Sequence, residues 1–327
     1  MVQRILERGQ IETLARRDIP RILLPAPDAL FRERAARLRA LAPASALGSY
    51  LQLLAVVADA QQAAYAALTP AEHERLRACG GDARADAARQ AGMPPLPANR
   101  LSRDPCWHAV LQRILADGRG HPAFPPAAAA LLERLAGAAP DWLEAQADAV
   151  LEVAAAAEPD VAAAPFVMAA LQVLWTALRS GFDTASLAPL ADAPGLCPCC
   201  GTPPVASIVH AKGAEAGYRF LACPLCACQW HRVRVQCSRC GADGKDLAYH
   251  ALTGIDAVDD SAVKEAAVRA ETCSRCKGYR KILYAEKDMG VEAVADDLAS
   301  HALDVLLAEQ GFERMSGNPL LWPDAER

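Results

Sequence analysis

The strongest periodic signal in the chain is an apolar stripe. Leu47, Tyr50, Leu51, Leu54, Val57, Ala58, Gln61, Ala64, Tyr65 and Leu68 recur at the three-four spacing of an α-helix. Thr69 and Pro70 end it, because proline cannot continue a helix. Upstream, Asp28 reads as an N-cap and the segment to Leu41 as a basic helix, with Arg32, Arg34, Arg37 and Arg39 assigned to its solvated faces. Pro20, Pro25 and Pro27 interrupt any helix before that, so the first 25 or so residues read as a loose lead-in. Small residues, glycine and proline between Gly80 and Arg103 point to a surface loop with one short helix. Helical patterning returns over 106–116, 127–138, 141–157 and 166–179, the last carrying Leu171, Leu174, Trp175 and Leu178 toward a core. These segments predict a bundle of five or six helices.

The pattern changes after Pro189, Pro194 and Gly195, where a linker places a domain boundary near residue 190. Short β-like runs follow at 205–209, 218–222, 229–235, 247–252 and, more weakly, 264–271, most of them beside a cysteine pair. Beyond Tyr284 one amphipathic helix is predicted over 291–309. Val291, Val294, Leu298, Ala302, Val305 and Leu306 lie on its apolar face, with Glu292, Asp296, Asp297 and Asp304 on the others. The helical half shows no repeat, whereas the cysteine half reads as one ribbon motif used twice. The predicted fold class is therefore α plus small β: an N-terminal helical bundle, then two rubredoxin-like or zinc-ribbon modules of four cysteines each, then a terminal helix. Three units are expected: a helical domain over 1–190, a metal-binding domain over 191–285, and a helix with its tail over 286–327 packing on the other two.

Composition supports this division. A chain of 327 residues exceeds the usual size of one domain. Its hydrophobic share of 53% rests largely on alanine while aromatics are only 5%, which favours packed helices over a sandwich or barrel. The net charge of -5 gives no global attraction to phosphate backbones or anionic lipid. The polar start, Met1 to Glu12, lacks an apolar leader, and no run reaches the roughly 18 apolar residues of a membrane span. A cytoplasmic protein without a membrane partner is expected.

The chemistry lies in the cysteines, ten of which crowd between Cys197 and Cys276. They include four C-x-x-C pairs: Cys197 with Cys200, Cys223 with Cys226, Cys237 with Cys240, and Cys273 with Cys276. Two intervening residues let a tight turn aim both sulfurs at one ion, so eight thiolates make two tetrahedral sites. Gly201 and Gly241, each following the second cysteine of a pair, supply the backbone freedom such a knuckle needs. The run from Gln229 to Val235 spans roughly 23 Å if extended, which assigns Cys226 and Cys237 to different ions. Sequential pairing, first pair with second and third with fourth, closes shorter loops than a cross-brace. Redox dithiols would need a βαβ setting that this stretch lacks, and disulfides are rare in a reducing compartment. Sulfur-only tetrahedra suit zinc or a single iron, and spacing does not choose between them.

Cys199 and Cys228 read as non-ligands, and Cys79 and Cys106 as core fillers or half-exposed thiols. His210, His231 and His250 are superfluous as ligands beside eight cysteines. No hydrolytic triad, phosphate-binding glycine loop or H-E-x-x-H motif is present, so no catalytic or cofactor-binding residue is assigned. Asp296 and Asp297 read as a solvated helix face. Arg219, Arg232, Arg234, Arg239, Arg269, Arg275, Lys277, Arg280 and Lys281, interleaved with Tyr218 and Trp230, make the ribbons mildly basic. That is the only argument for nucleic acid, and the acidic segment after Tyr284 weakens it.

The ribbon half resembles the FdhE accessory proteins of formate dehydrogenase. The resemblance rests on Cys197-Pro198-Cys199-Cys200-Gly201 followed by Pro204 to Val209, on Tyr218 to Cys223, and on Trp230 to Val235 leading into Cys237-Ser238-Arg239-Cys240-Gly241. It continues through Ala270-Glu271-Thr272-Cys273, Cys276 with Tyr279, Val294 to Ser300, Gly311-Phe312 and Gly317 to Trp322. It is close over 195–323 and loose in the helical half, through Tyr50-Leu51 and the Gln61 region. It implies a non-enzymatic cytoplasmic maturation factor for the catalytic subunit of respiratory formate dehydrogenase, a molybdenum or tungsten iron-sulfur enzyme, acting before twin-arginine export. It also implies rubredoxin-like sites on the eight cysteines, with iron as the expected metal and zinc as the alternative. A homodimer is left open. The competing readings are a zinc-ribbon nucleic-acid adaptor and a one-electron iron carrier.

Overall fold

Eight helices build the N-terminal half of the computed structural model, which describes residues 19–153, 156–252 and 260–322. They are α1 (Pro27–Leu41), α2 (Gly48–Ala66), α3 (Pro70–Ala78), α4 (Asp82–Gln90), α5 (Cys106–Gly118), α6 (Ala128–Ala136), α7 (Pro140–Val150) and α8 (Ala164–Arg179). Prolines open α1, α3 and α7 in the first turn, where a missing N–H is no loss. Thr69 and Pro70 end α2 as expected and also start α3 at once. The Thr69 hydroxyl accepts from the Glu72 amide, and the Glu72 carboxylate accepts from the Thr69 amide.

Every residue of α8 from Phe166 to Arg179 is buried, which makes it the axis of the bundle. Two of its interior polar side chains tie it to other segments, while Thr176 Oγ1 is buried without a partner among the described residues. Gln172 accepts from the Gln61 amide at 2.8 Å, and Trp175 donates its indole N–H to the Leu96 carbonyl at 3.1 Å. That second bond explains a departure from the sequence reading. The stretch 80–103 holds α4 as its one helix, but its end dives inward, with Leu96 and Ala98 buried rather than on a surface loop.

The C-terminal half is built on one eight-stranded sheet. Its strands are β1 (Ile22–Leu23), β2 (Ala206–Val209), β3 (Arg219–Ala222), β4 (Gln229–Arg232), β5 (Leu247–His250), β6 (Val268–Cys273), β7 (Gly278–Tyr284) and β8 (Glu313–Arg314), with a short helix α9 (Asp260–Glu265) before β6. β2–β3–β4 and β5–β6–β7 are two antiparallel meanders joined where β2 runs parallel to β7, Ser207 opposite Ile282. In each meander one cysteine pair precedes the first strand and a second pair links two later strands, which is the ribbon used twice. β1 pairs with the outer edge of β4, Ile22 opposite Trp230, so the part of the lead-in from Ile22 is structured; residues 1–18 lie outside the described residues. β8 pairs with the start of β7.

The terminal helix is two: α10 (Ala293–Ala299) and α11 (His301–Glu309), broken at Ser300. The break rotates the apolar face. Leu303 and Leu307 are buried, while Val305 and Leu306, expected inside, are 48% and 46% exposed. The acidic residues also depart from expectation: Asp296 and Asp297 are each 1% exposed. Arg37 of α1 donates to Asp296 at 2.9 Å and Arg34 to Glu292 at 3.1 Å, so two of the four arginines assigned to a solvated face instead clamp α1 to α10. Asp297 meets Lys281 of β7 at 3.5 Å, Asn318 at 2.7 Å and the Arg314 guanidinium. Burial raises the pKa of Asp296 despite Arg37. Burial pushes Asp297 the same way, but Lys281 and Arg314 outweigh it and hold its carboxyl below the ordinary range.

Candidate metal centre

Each cysteine pair sits on a turn whose backbone folds back on itself. The Cys197 amide donates to the Thr202 carbonyl at 3.1 Å, Cys223 to Cys228 at 2.9 Å and Cys237 to Ala242 at 2.9 Å. The residue after the second cysteine takes a left-handed conformation in all four turns, with φ of +80° at Gly201, +58° at Ala227, +72° at Gly241 and +55° at Lys277. The glycines were legible as turn residues. Ala227 and Lys277 were not, because their type carries no such signal and the strain is borne by the turn around them. Replacing either by glycine removes a steric cost of roughly 1 kcal/mol and adds a comparable unfolded-state entropy, so denaturant titration will find Ala227→Gly and Lys277→Gly within about 1 kcal/mol of the parent. A loss of about 2 kcal/mol or more would refute the strain.

The turns bring the sulfurs together in the sequential arrangement. Cys197, Cys200, Cys223 and Cys226 form one quartet and Cys237, Cys240, Cys273 and Cys276 the other, with all four sulfurs of each within 4.8 Å of one another. Cys197 to Cys226 is 3.5 Å, Cys200 to Cys223 is 3.4 Å, Cys237 to Cys276 is 3.8 Å and Cys240 to Cys273 is 3.7 Å. A disulfide would need about 2.05 Å, whereas four thiolates about 2.3 Å from a central ion stand about 3.8 Å apart. The spacing fits an ion and not a bond. The Leu225 and Cys226 amides both reach Cys223 Sγ at 3.4 Å, donors of the kind that steady a metal-bound thiolate. Without a cation, burial pushes the Cys197 and Cys223 thiols up, and Cys276 up to about 12. A bound divalent ion would reverse that by stabilising thiolate charge in place of water.

The two quartets sit differently in the molecule. Cys197, Cys200, Cys223 and Cys226 are all buried and belong to the same apolar core as the helices. The chain end of the 80–103 stretch docks on them: the Leu96 amide donates to the Cys199 carbonyl and the Ala98 amide to the Cys200 carbonyl, both at 2.9 Å. Gln172 of α8 donates to the Pro224 carbonyl at 2.7 Å. In the second quartet Cys237 and Cys273 are buried, Cys276 is half-buried and Cys240 is exposed.

Cys199 and Cys228 are fully buried but stand outside both quartets. His210 bonds Gln229 at 2.8 Å, His250 bonds Thr272 at 3.1 Å, and His231 packs edge-on against Tyr218 and Phe220; none joins a quartet. Two residues counted in the basic ribbon surface turn out to be interior ties. Arg219 of β3 meets Glu271 of β6 at 3.0 Å, both at most 1% exposed, stitching one meander to the other. Arg280 of β7 donates to Ser238 in the third turn at 3.0 Å and to Ser316 at 2.8 Å. With Arg219, Arg280 and Lys281 buried, the basic face proposed for nucleic acid loses three of its cations.

Family models match the chain in three consecutive segments: one described as FdhE, N-terminal, over residues 19–192, one as FdhE, central domain, over 196–234, and one as FdhE, C-terminal domain, over 235–321. The protein FdhE homolog of Pseudomonas aeruginosa is 41% identical over 330 residues, covering 100% of both chains. That of Cronobacter sakazakii is 39% identical over 323 residues, covering 98% of each. The crystal structure of the FdhE protein from Pseudomonas aeruginosa superposes with a TM-score of 0.76 at 37% identity, covering 94% of this chain and 100% of that one.

Proposed function

The chain belongs to the FdhE family, and from that premise we propose that it is a cytoplasmic, non-enzymatic assembly factor for respiratory formate dehydrogenase that recognises the enzyme's catalytic subunit. The observation that carries the reading is the pair of sulfur quartets held in one sheet against a helical bundle. Cys197, Cys200, Cys223 and Cys226 hold one ion, and Cys237, Cys240, Cys273 and Cys276 the other. Each ion is iron, with zinc the alternative that the same donors accept. With all four ligand positions taken by cysteine, neither site keeps the open position that metal hydrolases use, so the ions stabilise a binding surface or respond to redox state. The helical domain up to residue 190 presents that surface, and the ribbon domain over 191–285 braces it with help from the tail over 286–327.

Deletion of the gene will abolish formate oxidation by the membrane fraction, and this chain supplied in trans will restore it. The chain will also co-purify with the catalytic subunit. Undiminished formate oxidation in the deletion strain would overturn the proposal. Elemental analysis of protein purified without oxygen will give two metal equivalents, and its visible spectrum decides between iron, which colours the sample, and zinc, which does not.

A further inference from the structure

Sequence and burial separate the two quartets in the same direction. The turns of the first are Cys197-Pro198-Cys199-Cys200 and Cys223-Pro224-Leu225-Cys226, whose intervening residues carry no charge and no hydroxyl. Those of the second are Cys237-Ser238-Arg239-Cys240 and Cys273-Ser274-Arg275-Cys276, followed by Gly241 and Lys277. The apolar turns fit a site packed into the core, the docked 94–98 segment and α8, where Cys223 borders a cleft but is only 3% exposed and the other three cysteines are at most 1% exposed. The polar turns fit a site with one open face: Arg239, Cys240, Ser274, Arg275 and Lys277 line it, Cys240 is exposed, and the apolar cluster beneath is a small one of Cys237, Ala242 and Cys273.

We infer that the second quartet is an exchangeable metal site, entered by a small thiolate through Cys240, while the first is a permanent staple. The inference rests on the metal reading above. Substitution at a four-coordinate ion needs an incoming donor to reach it, and of the eight ligands only Cys240 and the adjoining half-buried Cys276 meet solvent. Arg239, Arg275 and Lys277 attract an anion there, opposed by Asp243 and by Glu313, which lies 3.7 Å from Arg239. The step is a ligand exchange without redox change. The incoming thiolate donates an electron pair to form a new metal–sulfur bond, the bond to Cys240 Sγ breaks, and Cys240 departs with its pair as a thiolate, leaving total charge unaltered. Ser238 is locked by Arg280 and Cys237 stays buried, so the turn keeps its shape while one ligand leaves.

The test uses the full chain loaded with zinc, challenged with excess pyridylazoresorcinol and glutathione. Elemental analysis first counts the ions: fewer than two equivalents on folded protein sinks the metal reading and the inference with it. Given two, release will be biphasic, one equivalent leaving at least about tenfold faster than the other. Cys240→Ser will accelerate the fast phase and leave the slow one unchanged. In parallel, iodoacetamide labelling followed by peptide mass spectrometry will find Cys240 and Cys276 modified before any cysteine of the first quartet. Release of both ions in one phase, or earlier labelling of Cys197, Cys200, Cys223 or Cys226, would overturn the inference and leave the metal reading intact.

Discussion

Stripping both ions from the reduced chain will unfold the sheet and loosen the helices against it, at a cost of about 10 kcal/mol, the scale measured for structural zinc in small thiolate sites. The large value follows from where the first quartet lies. Its four cysteines are part of the principal core, not an appendage to it. Emptied, that core would hold four thiols gathered for an ion, with docked backbone at Leu96, Ala98 and Pro224 tied to turns that no longer have a centre. Trp230 reports the change: it is fully buried in β4 and donates its indole N–H to the Pro194 carbonyl at 3.1 Å. Chelation in the presence of reductant will shift its emission to the red together with loss of the sheet signal in circular dichroism. An apo chain that unfolds cooperatively within about 1 kcal/mol of the loaded one would show that the quartets contribute nothing to folding.

Asp297→Ala is expected to cost about 3–5 kcal/mol in denaturant titration of the loaded protein. Removing the carboxylate takes from buried Lys281 and from Arg314 one of the two anions they share, leaving Asp304 alone to face both cations, and breaks the bond from Asn318. Asp304 still meets Lys281 at 2.8 Å and Arg314 at 3.3 Å, and Lys281 keeps the carbonyl of residue 297 at 2.7 Å, so the loss is not total. Converting Asp297 to Leu together with Lys281 to Met, which removes both charges at once, will recover much of the loss, because the penalty lies in the unpaired ion and not in the missing pair. The sign with pH follows from the depressed pKa of Asp297. Its contribution is fully present above the unfolded value of about 3.9 and is lost as pH falls through the lower folded value. A loss below about 1 kcal/mol for Asp297→Ala would mean that water reaches this cluster.

The two cysteine quartets and most helices were legible because their signals are local. Four C-x-x-C pairs announce four turns; the expected extended run over 229–235 is a strand only over Gln229–Arg232 and turns at 234–235, yet Cys226 and Cys237 do fall in different quartets. What escaped was set by distant partners. Asp296 and Asp297 read as solvated because helical periodicity places them off the apolar face. Their burial depends on Arg37, far upstream, and on Lys281 and Arg314. The same pairing hid β7: Arg280 and Lys281 fall in the middle of Gly278–Tyr284, so the run lacks a strand's alternation, yet all seven residues are buried once the cations find Ser238, Ser316, Asp297 and Asp304. The split at Ser300 escaped for a milder reason, since its hydroxyl caps the Asp296 carbonyl at 2.7 Å and nothing in the flanking residue types marks a break.

The parallel seam between β2 and β7 sets an order on synthesis. Ser207 emerges from the ribosome long before Ile282, its neighbour in the finished sheet. Cys197 to Cys226 precede that seam, so the first ion can be captured and the first meander closed while one flank of β2 still lacks its cover. The nascent chain thus carries a bare strand flank until Gly278–Tyr284 is made. Arg219 of β3, whose side chain bonds Ser207 of β2 and Glu271 of β6, likewise gains its counter-ion only once β6 has been made.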